Sequence, residues 1–240
     1  SASLQGLAMT VALIGCMIGA LLCGSLADRI GRKKLLIIAS LIFLISSAAV
    51  GVSKGFMFFL ASRFVSGVGI GLASGLSPMY IAEVAPTSVR GKLVSLNQLT
   101  IVFGILAAQI TNWLIAEDIP SGMGTAEIAA SWNGQMSWRW MFWAAMVPSA
   151  LFFLFALFIP ESPRWLALKG RDSSSLDILT KVGGRDYATK ELESIKSTNI
   201  IANTQGGLKI LFSNPYPKVL LLGVVIAIFQ QWCGTNVIFN

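Results

Sequence analysis

Histidine is absent from this chain, cysteine is rare and charge is scarce, and these shortages exclude several classes of protein. Without histidine, the chain cannot build a catalytic triad or a metal centre that depends on imidazole. The three cysteines, at positions 16, 23 and 233, have the spacing of neither a metal site nor a disulfide framework, so we expect them to fill apolar space. The sequence therefore predicts no enzyme activity, no cofactor and no metal site.

Apolar residues are abundant and are gathered in long uncharged windows. The chain is 55% hydrophobic and 12% charged, whereas a soluble domain is about 25% charged. Each of six windows is about 19 residues or longer, enough to cross a hydrocarbon core of roughly 30 Å as a helix. We therefore predict an all-α membrane protein with six visible spans. The windows are Ser1–Ala27, Leu35–Ser53, Phe64–Ala82, Leu93–Ala116, Trp140–Pro160 and Val219–Asn240. In the third window, Gly67, Gly71 and Gly75 recur every four residues and share one helix face, which predicts the close approach of another helix.

Basic residues are distributed very unevenly between the windows. Fifteen of the 18 Lys and Arg residues fall in the first, third and fifth gaps, and two fall in the second and fourth. Because positive residues collect in cytoplasmic loops, loops 28–34, 83–92 and 161–218 are predicted to be cytoplasmic. The net charge of +7 is then explained by basic loops that orient the chain in the bilayer and contact anionic lipid headgroups. We therefore expect no nucleic-acid partner.

The windows and loops divide the chain into three parts. Residues 1–160 form a transmembrane bundle, 161–217 a cytoplasmic linker with short helices interrupted at Gly183–Gly184, and 218–240 the first helix of a second bundle. Ser1 and Asn240 both fall inside apolar windows, so we expect a piece of a longer protein.

Four motifs carry a resemblance to a known family. The stretch "GSLADRIGRKK" resembles the loop signature of the major facilitator superfamily. The stretches "RFVSGVGIGLASGLSPMYIAEVAPTSVRGK", "PESPRWL" and "QQWCGTNVIFN" resemble signatures of its sugar porter family, in the family's order. That family includes bacterial xylose–proton symporters and facilitative glucose transporters. The resemblance implies a partial helical bundle, from the second to the seventh of twelve transmembrane helices.

The implied function is a secondary transporter that moves a monosaccharide across the cell membrane by alternating access, in the inner membrane if the source is bacterial. A non-transporting sugar sensor on the same fold is the alternative. The choice between pentose and hexose, and between proton symport and uniport, stays open. The expected partners are the sugar, protons in the case of symport, and the lipid bilayer.

Polar side chains within the spans, most of them amides, are the candidates for binding sugar hydroxyls: Gln98, Gln109, Asn112, Gln230, Gln231, Thr235 and Asn236. An amide offers both a donor and an acceptor, and within a membrane it needs a cavity or a partner. The alternative is that these amides bond one helix to another. The resemblance assigns sugar contacts to Gln98, Gln230, Gln231 and Asn236, with Ile101 and Ile105 lining the wall.

Two sets of charged residues have candidate roles in transport. Arg63 lies inside a span, where it either pairs with an acid on a helix outside this sequence, as in proton-coupled relatives, or extends to the interface. A second set is predicted to form a cytoplasmic gate of ion pairs, or else to act only as an orientation signal. Its members are Asp28, Arg29, Arg32, Glu83, Arg90, Glu161 and Arg164.

Overall fold

The structure is a computed structural model that describes residues 2–120, 122, 124–204 and 216–232. The chain divides into two compact units, Ser1–Leu192 and Glu193–Asn240. Eleven α-helices and one π-helical turn, Asn133–Ser137, occupy the described residues. The helices are α1 (Ala2–Ile30), α2 (Arg32–Gly51), α3 (Phe56–Val84), α4 (Thr87–Ile115), α5 (Thr125–Ala130), α6 (Trp138–Ala144), α7 (Met146–Phe158), α8 (Pro163–Leu168), α9 (Asp172–Gly183), α10 (Arg185–Thr204) and α11 (Tyr216–Trp232).

The predicted all-α membrane fold is confirmed. Five helical segments are long and apolar enough to span a bilayer: Gly6–Ile30, Arg32–Gly51, Phe56–Val84, Thr87–Ile115 and Asn133–Phe158. Most extend beyond the uncharged windows, because a helix continues into the interface, where charged side chains reach water. The sixth predicted window, 219–240, falls on α11 up to Trp232, and residues 233–240 lie outside the described part of the chain.

Helices α1 and α3 cross at closely spaced glycines. A Cβ added to Gly67 would meet the carbonyl oxygen of Ala12, and one added to Gly71 would meet that of Cys16. This confirms the predicted close approach on the glycine face of α3. Gly15 and Gly19 make the same kind of backbone contact from α1, although they were not among the predicted packing glycines.

The buried core is shared by the helices α1, α2, α3 and α7. Its largest fully buried side chains include Leu35 of α2 and Leu76 of α3, and Ala156 of α7 packs into the same cluster. This core lies beside the turns 30–32, 84–87 and 160–163, which we call the charged end of the bundle. Packing there holds these three turns close together.

Arg139 connects α6 to the end of α2 at the opposite end of the bundle. Its Nη1 donates to the carbonyl oxygens of Gly51, at 2.6 Å, and Ser53, at 2.8 Å, and its guanidinium lies 4.3 Å from the ring centre of Trp138. Gly51 is the last residue of α2, where carbonyls lack partners within the helix and attract a positive charge. Arg139 therefore ties α6 to the end of α2.

Replacing Arg139 with Ala is expected to lower the stability of the bundle by roughly 1.5–3 kcal/mol, because two buried carbonyl groups lose a charged donor. The midpoint of thermal unfolding in detergent measures this loss. Lys54→Ala is the control, since Lys54 is exposed on the same turn. Equal midpoints for the two variants would contradict the role given to Arg139.

Candidate transport site and charge cluster

Arg32 lies at the centre of an ion-pair cluster at the charged end of the bundle. It is only 4% exposed. Its Nη2 lies 2.9 Å from Oδ1 of Asp28, and its Nε lies 2.9 Å from Oε2 of Glu83. Nη2 also donates to Oε1 of Glu83 at 2.9 Å, and Nη1 donates to the carbonyl oxygen of Ala27 at 3.1 Å. The fork of the guanidinium therefore joins the ends of α1 and α3 to the start of α2.

Glu161 acts on the same helix without forming an ion pair in the described part of the chain. Its Oε1 accepts hydrogen bonds from the backbone N–H groups of Arg32, at 2.8 Å, and Lys33, at 3.0 Å. Helix α2 has no capping side chain of its own, so the carboxylate of a distant residue satisfies its first N–H groups.

Gly31 makes room for that carboxylate. Its φ of +98° lies in the region that favours glycine, and an added Cβ would meet Oε2 of Glu161. A glycine is therefore required at this position of "DRIGRKK" by the backbone conformation and by the space that Glu161 occupies, which the pattern of charges did not reveal. We call Asp28, Arg32, Glu83 and Glu161 the charge cluster.

Three uncharged residues make hydrogen bonds around the charge cluster, and none of them was among the residues predicted for the gate. Ser162 donates from its hydroxyl to Oε2 of Glu83 at 2.6 Å. The indole Nε1 of Trp165 donates to the carbonyl oxygen of Asp28 at 3.0 Å, and Tyr80 donates from its hydroxyl to that of Pro160 at 2.9 Å. All three lie within the family motifs, Tyr80 in "RFVSGVGIGLASGLSPMYIAEVAPTSVRGK" and the other two in "PESPRWL", and this position was the only hint of their importance.

The remaining members of the predicted gate are not ion-paired with the charge cluster in the described structure. Arg29 and Arg164 are exposed, and neither forms an ion pair with any residue that the structure describes. Arg90 donates to the carbonyl oxygen of Ala85 at 3.3 Å. Burial, followed by Glu191, raises the pKa of Tyr187, and Arg90 lowers it, which places Arg90 close to α10.

Arg63 lies against an aromatic cluster on the far half of α3. Its guanidinium carbon is 5.4 Å from the ring centre of Phe142, which packs edge-to-face with Phe59 and Trp138. The buried Nε of Arg63 has no hydrogen-bond partner among the described residues. A cleft of about 470 Å³ opens beside the aromatic residues. This arrangement combines a cation–π contact with an unused donor.

The predicted sugar contacts of α4 share one face of that helix. Gln98, Ile101, Ile105, Gln109 and Asn112 recur at intervals of three or four residues, and at 100° per residue they fall within about 80° of one another. Gln98, Ile101 and Ile105 are exposed, and α4 buries none of its described residues. The helix therefore presents an uninterrupted stripe of amide and aliphatic side chains.

The other predicted sugar contacts cannot be placed as side chains. Gln230 and Gln231 belong to the backbone of α11, but their side chains lie outside the described residues, as do the whole of Thr235 and of Asn236.

The chain resembles proteins of known activity over almost its entire length. It matches the family described as "Sugar (and other) transporter" over residues 1–240. It is 39% identical over 235 residues to the arabinose-proton symporter of Bacillus subtilis, and the matched region covers 98% of this chain and 48% of that protein. It is 38% identical over 254 residues to the D-xylose-proton symporter of Escherichia coli, covering 98% and 49%.

A solved structure shows the same fold. The proton:xylose symporter XylE bound to 6-bromo-6-deoxy-D-glucose matches with a TM-score of 0.86 and 36% identity, covering 98% of this chain and 51% of that one. The chain spans about half the length of the curated relatives it matches. With the motifs, the helical bundle and the family match in agreement, this chain belongs to the sugar porter family of the major facilitator superfamily.

Proposed function

We propose that this chain is part of a proton-coupled transporter that moves a monosaccharide across the membrane by alternating access. The observation that carries the proposal is the match, at 38–39% identity over nearly the whole chain, to relatives named as proton symporters of arabinose and xylose. Another relative, 38% identical, is named a glucose transport protein. Because these relatives are named as transporters, we prefer transport to the sensor alternative.

The amide and aliphatic stripe of α4 supports a role in sugar binding. Gln98 offers a donor and an acceptor to a pair of sugar hydroxyls, and Ile101 and Ile105 supply the apolar wall against which a sugar ring packs. Gln230, Gln231 and Asn236 are proposed as further sugar contacts on the strength of the "QQWCGTNVIFN" motif.

Arg63 is proposed to take part in proton coupling. An arginine in a span has a high energetic cost unless it has a partner, and its buried Nε is an unused donor in the described structure. A carboxylate that approached this donor would bind as an anion and leave as an acid. Arg63 would thus favour the deprotonated form of its partner during one stage of the cycle.

The charge cluster is proposed to be the cytoplasmic gate of this half of the transporter. Loops 28–34, 83–92 and 161–218 would then be cytoplasmic, as the distribution of basic residues predicts. A buried ion-pair network has two discrete states, paired and broken, and such an element can bias a conformational equilibrium.

Sugar exchange by the full-length transporter tests the proposal. Vesicles loaded with unlabelled xylose, arabinose or glucose are expected to accumulate the labelled sugar by counterflow, and an inward proton gradient is expected to drive net uptake. Binding without exchange would indicate a sensor and would contradict the proposal.

Replacing Gln98 with Ala is expected to weaken sugar binding by about 1–3 kcal/mol, because a hydroxyl loses its partner in a partly dry site. The half-saturation concentration in counterflow measures the change. Thr100→Ala is the matched control on the opposite face of α4, where the hydroxyl donates to the carbonyl oxygen of Leu96. Equal affinities of both variants and the unmodified protein would exclude Gln98 from the site.

A further inference from the structure

Ser162 occupies a central position between two structural elements. It is 0% exposed. Its hydroxyl donates to Oε2 of Glu83 at 2.6 Å and accepts from the backbone N–H of Trp165 at 3.3 Å. One side chain therefore caps the N-terminus of α8 and binds a carboxylate of α3 at the same time.

The two hydrogen bonds orient the hydroxyl in one direction. A serine hydroxyl carries a single hydrogen and accepts through its lone pairs. With Trp165 as the donor to its oxygen, the hydrogen of Ser162 is directed to Glu83. The geometry of α8 thus determines where the hydrogen of this hydroxyl points.

Glu83 needs such an external support. Both of its oxygens face Arg32, at 2.9 Å from Nη2 and 2.9 Å from Nε, and its side chain is 9% exposed. Glutamate has three rotatable side-chain bonds, so the hydroxyl of Ser162 adds a second constraint on the rotamer that the pair with Arg32 selects. In a buried ion pair, the geometry and the remaining hydrogen bonds decide whether the pair is favourable.

We propose that Ser162 is a positioning residue that holds the Glu83 carboxylate in the orientation that pairs with Arg32, and so determines how strongly the gate closes. This inference rests on the proposed function of the charge cluster. It adds a neutral residue to the gate, which was predicted from the charged residues alone as a set of ion pairs. It also couples the start of α8 to the gate, because separating Glu83 from Ser162 removes a bond from the capping hydroxyl.

Ser162→Ala in the full-length transporter is expected to lower the maximal rate of sugar exchange about tenfold, with the half-saturation concentration unchanged within about twofold. The hydroxyl contacts the gate and not the sugar, so its loss should lower the maximal rate without changing the affinity for sugar. Ser162→Thr keeps the hydroxyl and should restore most of the rate.

Ser175→Ala is the matched control. Ser175 of α9 is also 0% exposed, and its hydroxyl donates to the carbonyl oxygen of Pro163, the first residue of α8, at 2.8 Å. It therefore resembles Ser162 in burial and in its support of α8, but it does not bind Glu83. If the two alanine variants lose rate equally, Ser162 has only a structural role and the inference is wrong.

A double-mutant cycle with Glu83→Gln isolates the contact. If Ser162 acts through the carboxylate, Ser162→Ala should add less than about a twofold loss once Glu83 is neutral. An undiminished loss in that background would overturn the proposal.

An infrared measurement gives a second readout that does not depend on transport. Ser162→Ala should shift the carboxylate stretch assigned to Glu83, whereas Ser175→Ala should not. If Ser162→Ala shifts the carboxylate stretch but the unmodified protein exchanges no sugar, the proposed function is contradicted and the contact between Ser162 and Glu83 stands. Normal exchange without a shift would contradict the positioning role.

Discussion

Replacing Gly19 with Leu is expected to prevent α1 from packing on α3 and to leave little folded protein. A Cβ at Gly19 would meet the carbonyl oxygen of Val68 and lie 3.1 Å from the backbone nitrogen of Leu72. Because these obstacles are backbone atoms, no rotamer change relieves them, and the two helices must separate. Overpacking in a close-packed interior costs roughly 1–3 kcal/mol or more, and this crossing contains four such glycines.

Gly24→Leu is the matched control, since Gly24 lies on the same helix and an added Cβ would meet no atom within 4 Å. Size-exclusion chromatography and thermal unfolding in detergent measure the folded fraction. Gly24→Leu should elute and unfold like the unmodified protein. A folded, equally stable Gly19→Leu variant would show that the α1–α3 crossing is looser than the structure indicates.

Replacing Arg32 with Met is expected to destabilise the charged end of the bundle by about 3–5 kcal/mol, because the Glu83 carboxylate is left buried without its counter-charge. The midpoint of unfolding in detergent measures the loss. The control is Arg29→Met, which removes an exposed arginine three residues earlier.

The double variant Arg32→Met with Glu83→Gln should recover most of the lost stability, because neutralising the acid removes the unpaired buried charge. Two single losses that simply add would contradict this explanation. In that case the two side chains would contribute independently of their ion pair.

The helical fold was largely predictable from the sequence, for a clear physical reason. A helix in lipid must be long, apolar and internally hydrogen-bonded, so uncharged windows mark the spans. The glycine spacing on α3 likewise predicted a close helix crossing. Gly15 and Gly19 were not identified as its other half, because a repeat on one helix does not reveal which neighbour it meets.

The candidate site was predictable in part. The stripe on α4 follows from helical periodicity once Gln98 is chosen, and the resemblance to the sugar porter family indicates that choice. Charge patterning indicated that the basic and acidic residues at the charged end belong together. It gave no reason to separate Arg32, which is buried and paired, from Arg29, which is exposed, because both are arginines in one short turn.

By itself, the sequence determined that this chain spans a membrane with helices and belongs among sugar porters, since hydropathy and motifs are local properties. Only the tertiary structure decided what each polar group binds. It made Glu161 the cap of α2, 129 residues away from Arg32, and directed the hydroxyl of Ser162 to Glu83. Such roles depend on angles and on distances of about 3 Å between atoms far apart in the chain, and no pattern of residue types records them.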